Sequence, residues 1–455
     1  MPDVFQFGAK ADGVFNDSPS VQAAVNYADE LNMGDASRNF VFETTVNVTS
    51  PIKIKSSKAT ITLPTAIEAF LITSSLVDVD GLVFEGPNGA VFNTNNVAIR
   101  GLGIDNGAAV APTFITDINI THCEFSGLGR SGVLLRYAKD STVSHNKVRD
   151  TAYAGVEIQS GLNVITNYNT IWDINLVQTN NYGIYFSRQN TADLVRDPIC
   201  RSCTASFNNM RNIDWEGLDC HGGIFLNFTH NVFENCGNNN AAIALIHSDD
   251  DVSAPNYGVE NSVVAMNIIT GAGSYGLAFS APGGGIVHSN NTVSGNVLFD
   301  CGSVSATSDR GGINVGDSVN TSFTGNTLEL CAPHGFVIKG AACANVVISA
   351  NTMKRIVSNA LSTSSAILFK RGVSGVGLVS VRGNTLQKGS GGETYDGEFG
   401  VRALNAEDGG GFEIGRNSFS AANTPYSVSL SLVDDFTHSP VSNYGDRDWE
   451  TNSPS

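Results

Sequence analysis

A phrase built around one asparagine recurs along this chain, as VSHNKV, FTHNVF, VAMNII, VSGNVL, FTGNTL, ISANTM, VRGNTL and IGRNSF. Its asparagines are Asn146, Asn231, Asn267, Asn296, Asn326, Asn351, Asn384 and Asn417, with Asn169 a looser member and Asn208 a further candidate. The spacing from 146 to 169 and from 208 to 231 is 23 residues, from 296 to 326 it is 30, and from 326 to 351 it is 25. One strand, one turn and a second strand fit such a period. Each repeat then forms one coil of a parallel β-solenoid and buries its apolar face only against its neighbours. Longer gaps read as insertions looping out of single coils. An asparagine suits a fixed corner because it tolerates left-handed backbone and can offer its amide to the next coil.

Composition agrees with strands and turns: 48 glycines, 15% charged residues and few strong helix formers. Because a solenoid grows in one direction, the length of 455 residues reads as one long domain rather than several. The formal charge of −17 argues against nucleic acid as a partner. No apolar run approaches the length of a membrane span, and the start MPDVFQFGAK lacks a classical leader, so the expected setting is extracellular or virion-associated. Between Arg130 and Arg211, nine Lys/Arg face six Asp/Glu. Two readings stand for this local excess: chance, or a patch that meets an anionic polymer.

Cys236, Cys301 and Cys331 each fall five residues after a repeat asparagine, a slot filled elsewhere by Thr151 and Ile356. A slot shared by Cys, Thr and Ile is an interior one, so free thiols are expected. CRSC, at Cys200 and Cys203, lacks the second pair a zinc site needs. The acidic run Asp249, Asp250 and Asp251 could attract Ca²⁺, but it has no spaced ligand pattern, so no cofactor is expected.

Residues 1–37 read as a cap segment, 38–436 as the solenoid and 437–455 as a polar tail that is loose or meets a second chain. In the cap, Asp17 or Ser18 is the N-cap, Pro19 the first helical residue, and Val21, Val25, Ala28 and Leu31 an apolar stripe that covers the open first coil. The stretch carrying Phe7, Gly8, Ala9, Asp12, Gly13, Asp17, Gln22, Ala23 and Ala24 resembles the start of pectate-lyase-like right-handed β-helix proteins. The resemblance implies a right-handed parallel β-helix with an N-terminal capping helix. It does not choose among lyases, hydrolases, epimerases and tailspikes, which share that fold.

A second phrase follows each asparagine: a small residue and then alternation, as in GVLLR, GVEIQ, GIYFS and GLDCH. Side chains alternate across a strand, so two outward columns are expected, Leu134, Glu157, Tyr185, Asp219 and Arg136, Gln159, Ser187, His221. Glu157 and Asp219 fall two coils apart, roughly 9–10 Å at the strand spacing, near the ~6.5–9.5 Å an inverting glycosidase needs. Glu216, Asp214 and Trp215 precede the last strand and could add a carboxylate and a sugar-stacking ring; Lys139 and Arg188 flank the strip.

The expected function is cleavage of an extended, possibly anionic, polysaccharide. In the favoured reading, hydrolysis, Glu157 and Asp219 (or Glu216) are the acid/base pair and His221 orients Asp219; Arg136, Gln159, Arg188, Trp215 and Lys139 grip the glycan. The WEGLDCHGG segment also resembles a phrase of mannuronan C5-epimerases, matched at Gly217, Asp219 and His221, with Glu216 where that family has Tyr and Cys220 where it has Pro. This implies the rival reading, lyase or epimerase action on a uronate such as alginate, with His221 or Tyr185 as base and Arg136 neutralising the carboxylate. A third reading is a glycan-binding tailspike or adhesin, which as a tailspike would be a homotrimer.

Overall fold

The computed structural model describes residues 2–430, apart from 88–90, 176–179, 189–192, 247–256, 281–286, 303–309, 340–341, 357–363, 370–377, 388–396, 404–410, 416 and 421–426. The acidic run Asp249–Asp251 and the tail from 437 therefore lie outside the described residues.

The chain forms two compact units. The first holds residues 1–219 with 223–227, and the second holds 220–222, 228–249 and the residues from 256 onward. In each unit three short strands per coil stack on the next coil in parallel, giving three faces. In the first unit, one face runs Val83–Glu85, Glu124–Ser126, Lys147–Arg149, Thr170–Ile174 and Asn209–Ile213. A second runs Phe70–Ile72, Val97–Leu102, Ser131–Arg136, Ala154–Gln159, Tyr182–Ser187 and the start of Glu216–His221. The third includes Ile118–Thr121, Ala138–Ser144 and Leu162–Asn167. The second unit repeats the plan, for example through Tyr275–Phe279, Gly311–Val315 and His334–Ile338.

Inward residues build the core. Val133, Leu135, Val156, Ile158, Ile184 and Phe186 are fully buried, and a row of rings, Phe42, Phe70, Phe84 and Phe125, runs through the interior at centroid spacings of 5.1–6.0 Å. Burying each such side chain contributes about 1.5–3 kcal/mol. The small residue that opens the second phrase is required by the stacking. A Cβ on Gly183 would stand 2.3 Å from the carbonyl oxygen of Gly217, and one on Gly155 would stand 2.7 Å from that of Gly183.

The asparagines form a buried ladder in both units. Asn146 Nδ2 donates to Asn169 Oδ1 at 3.1 Å and Asn169 Nδ2 to Asn208 Oδ1 at 3.0 Å. In the second unit the chain Asn231, Asn267, Asn296, Asn326, Asn351, Asn384, Asn417 repeats the bond at 2.9–3.0 Å. Each Oδ1 also accepts the backbone N–H of the preceding rung. The left-handed residue is not the asparagine, however, but the one before it: His145 (φ 58°), Tyr168 (56°), Met266 (56°), Gly295 (64°). The corner turns one residue earlier than expected, which leaves the asparagine extended and aimed inward.

Ala in place of Asn326 orphans a buried N–H of Asn296 and a buried carbonyl of Val293. The expected loss is about 1–3 kcal/mol of stability. Thermal denaturation of Asn326→Ala checks this; an unchanged Tm would refute the ladder's role.

The cap helix spans Ser18–Tyr27, with Pro19 in its first turn and Val21, Ala24 and Val25 buried. Asp17 precedes it but donates no cap. Its carboxylate instead accepts the backbone N–H groups of Lys10 and Ala11, fastening the preceding turn. Leu31 lies past the helix, in a strand Glu30–Asp35 that pairs with Ile52–Ser57, and Asp12–Asn16 already pairs with Asn39–Val41. Solenoid pairing thus begins inside residues 1–37, with the helix between two of its strands. All eight cysteines are buried free thiols. Burial pushes the Cys123 thiol up to about 12.

Candidate active site

The second face of the first unit carries the expected columns. Leu134 stands in register with Glu157 and Glu157 with Tyr185; Arg136 stands with Gln159 and Gln159 with Ser187. A third outward column, not expected from the alternation, lies at the strand starts, where Ser131, Ala154 and Tyr182 are in register. The strand Glu216–His221 follows on this face, so Glu216 continues the third column and Asp219 the first by one more step.

This strip is not a solvated surface. Glu157, Glu216 and Asp219 are each 0% exposed, and Tyr182 and Tyr185 nearly as buried. The cover comes partly from the strip itself: Tyr182 stacks on Tyr185 at 4.6 Å, Tyr153 meets both edge-on, and Tyr153 and Trp215, each half-buried, pack against that pair. Outward side chains this large close over the smaller acids between them.

Glu157 is not poised as a general acid. Arg130 grips it with two bonds of 2.8 Å from Nε and Nη2, and Ser131 donates a third from its hydroxyl. Burial works against the Arg130 charge, but the bonds and charge of Glu157 outweigh it and hold that guanidinium above its usual range. Such a bidentate grip fixes the position of the carboxylate. Glu157, expected as one half of the proton-transfer pair, is held in place by Arg130 and Ser131. Glu216 and Asp219 both act on the Tyr182 phenol. Burial pushes the Tyr182 phenol far up, and the Asp219 and Glu216 charges push it further. Burial and then Glu157 raise Tyr153, against Arg130, which lowers it. Both phenols are thus biased toward their protonated form, in which the hydroxyl can donate as well as accept a hydrogen bond. Tyr153 also shares a hydrogen bond with Tyr185.

The remaining expected residues divide. Arg136 donates from Nε to Gln159 Oε1 at 2.8 Å, and Gln159 donates to Glu157 Oε2 at 3.5 Å, so both belong to the strip. Arg188 is buried directly after the strand Tyr182–Ser187. Lys139 does not belong: it sits in Ala138–Ser144 on the third face, half-exposed beside Asp140. His221 ends its strand half-buried and falls in the second unit, and Asp214 is half-buried before the strand. Arg130, Ser131, Tyr153 and Tyr182 escaped the sequence reading because they stand before the alternating phrase. The signal that could have found them is the large or polar residue three or four places ahead of the first outward position of each strip strand, Leu134, Glu157 and Tyr185. Among the described residues no group of three His, Cys, Asp or Glu is placed to hold a metal ion, and no helix is long and apolar enough to cross a membrane.

Three parallel faces, a ladder of asparagines and one early helix define a β-solenoid. The chain is a right-handed parallel β-helix protein, and residues 80–264 match the family model described as a right handed beta helix region. Solved structures extend the likeness over nearly the whole chain. The bacteriophage Phi29 gene product 12 N-terminal fragment superposes with a TM-score of 0.67 at 13% identity, over 95% of this chain and 74% of that one. The catalytic unit of a GH87 alpha-1,3-glucanase from Streptomyces thermodiastaticus gives 0.59 at 12%, over 95% and 71%. The A-module of Azotobacter vinelandii mannuronan C-5 epimerase AlgE6 gives 0.53 at 12%, over 92% and 99%. Among curated protein sequences none matches the chain. At such identities the likeness is one of fold.

Proposed function

We propose that the protein cleaves glycosidic bonds of an extended polysaccharide by hydrolysis, with Asp219 and Glu216 as the proton-transferring pair. The observation that carries this is the division of labour among three buried carboxylates. Glu157 is gripped by Arg130 and Ser131, whereas Asp219 and Glu216 act on the buried Tyr182 phenol, whose proton their charges help to hold. Glycoside hydrolysis asks for two carboxyl groups in different roles, one giving a proton and one taking it. Tyr153 and Trp215, half-buried at the edge of the strip, are the surfaces on which a sugar ring would stack. A β-helix face offers a long track, and a polymer is the ligand that fills it. The glucanase, epimerase and phage proteins that share the fold support a glycan as substrate, and the phage proteins support a place on a virion or outside the cell. Assembly as a trimer is part of the tailspike form of this proposal.

The rival chemistry, lyase or epimerase action, needs a base near neutral pH; that base would be His221 or Tyr185, since burial raises the phenols of Tyr153 and Tyr182. One assay separates the readings. The protein is incubated with bacterial capsules, alginate, pectin and α-1,3-glucan, and both reducing ends and absorbance near 235 nm are followed. Hydrolysis gives reducing ends alone. Reducing ends with new absorbance would replace it by elimination, and neither signal with retained binding would leave a glycan-binding protein.

A further inference from the structure

We propose that Arg100 and Arg136 form a subsite for a carboxylate-bearing sugar residue, set apart from the bond that is cleaved. This rests on the reading of the strip as a glycan track and adds to it the class of polymer and the register in which it binds.

Arg100 lies in Val97–Leu102, in register with Leu134, and Arg136 ends the next strand, in register with Leu102 on one side and Gln159 on the other. Arg100 bonds Glu68 through Nη1 and the carbonyl of Thr94 through Nη2, both at 2.7 Å, while its Nε is buried with no acceptor among the described residues. Arg136 uses Nε on Gln159 and makes no ion pair among the described residues, which leaves its two terminal nitrogens without a carboxylate partner there. With Arg130 and Arg196 these make four guanidinium groups against three carboxylates, Glu68, Glu157 and Asp105. Burial is the main cause that depresses both Arg100 and Arg136 below the usual arginine range, and neighbouring guanidinium groups add to it. A planar fork pairs with a carboxylate through two parallel bonds. In a chain of formal charge −17 this is an uncommon place for net positive charge.

Position decides the role. From Arg100 the column passes Leu134, Glu157 and Tyr185 before the strand of Asp219, four steps, or roughly 19 Å at the strand spacing. An anionic group held there cannot be the one attached to the sugar at Asp219. It sets the register of a chain whose charged residues recur, so that cleavage falls at a fixed distance from one of them.

The test uses the full chain carrying Asp219→Asn, titrated by calorimetry with alginate, polygalacturonate, their carboxyl-reduced forms and dextran sulfate. The expected result is that a carboxylate polymer binds, that Arg136→Gln or Arg100→Gln weakens it about tenfold or more, and that the reduced polymer binds parent and variants alike. Arg136→Lys, which keeps the charge but not the fork, should recover part of the loss, and circular dichroism guards against misfolding. Equal binding by parent and arginine variants overturns the subsite, and so does tighter binding of dextran sulfate than of every carboxylate polymer. In the cleaving protein Arg136→Gln should raise KM; a loss confined to kcat would place Arg136 at the scissile bond and also overturn it. Failure of the hydrolytic reading shows up separately, as cleavage that survives Asp219→Asn.

Discussion

Asp219→Asn is expected to lower turnover by about 10²–10⁴-fold while leaving Tm and glycan binding close to the parent's. The exchange keeps shape and removes only a proton site. Asp219 is fully buried on Glu216–His221, near enough to Tyr182 to raise its phenol, and it lies on the side of the strip that Trp215 borders. Glu216→Gln should act in the same way, since the second carboxyl group has the complementary role. Tyr185→Phe, which leaves both carboxylates, should keep most activity if the reaction is hydrolysis and lose most of it if a tyrosine moves the proton of a uronate. Initial rates on whichever polymer is cleaved provide the measurement. Parent-like rates in both Asp219→Asn and Glu216→Gln would move the chemistry to another face.

The largest effect on stability is expected from Arg130→Met. The variant keeps the length of the side chain but removes both bonds to Glu157, stranding a carboxylate that has no exposed surface. Breaking one side of a buried ion pair costs about 3–5 kcal/mol, because the remaining charge is neither solvated nor paired. Replacing both partners, as in Arg130→Met with Glu157→Leu, should recover most of that loss, since apolar groups of similar volume need neither water nor a partner. Chemical denaturation of the single and double variants gives the comparison. A double variant no more stable than the single one would mean that the arginine acts through its packing on Tyr153, over whose ring it lies at 5.6 Å, rather than through its charge.

The solenoid and much of the strip were legible from residue order. Repeat spacing located the asparagine ladder, including the loose members Asn169 and Asn208, because each rung must meet the next at one height. Alternation placed Glu157 beside Tyr185 and Arg136 beside Gln159, since strand geometry leaves no other register once the small residue is fixed. The partner of Glu157 was not legible. Arg130 lies on a different coil, 27 residues away, and nothing in either local phrase records that they meet. Burial of the strip was hidden for the same reason: period-two alternation tells which way a side chain points, not what lies above it. Lys139 was misplaced because it follows a strand end by three residues, and the chain turns the corner at Tyr137, in left-handed backbone, before reaching it.

The asparagine rungs are separated by 23, 39, 36, 29, 30, 25, 33 and 33 residues, yet their amide bonds stay within 2.9–3.1 Å. The ladder thus measures coils and ignores the contour length between them. Segments inserted at the other corners can lengthen, shorten or be exchanged without a frameshift in the core, so that loops beside the strip are free to diversify while the scaffold stays constant. For an engineer this marks where foreign segments can be grafted: between rungs, away from the residue that precedes each asparagine.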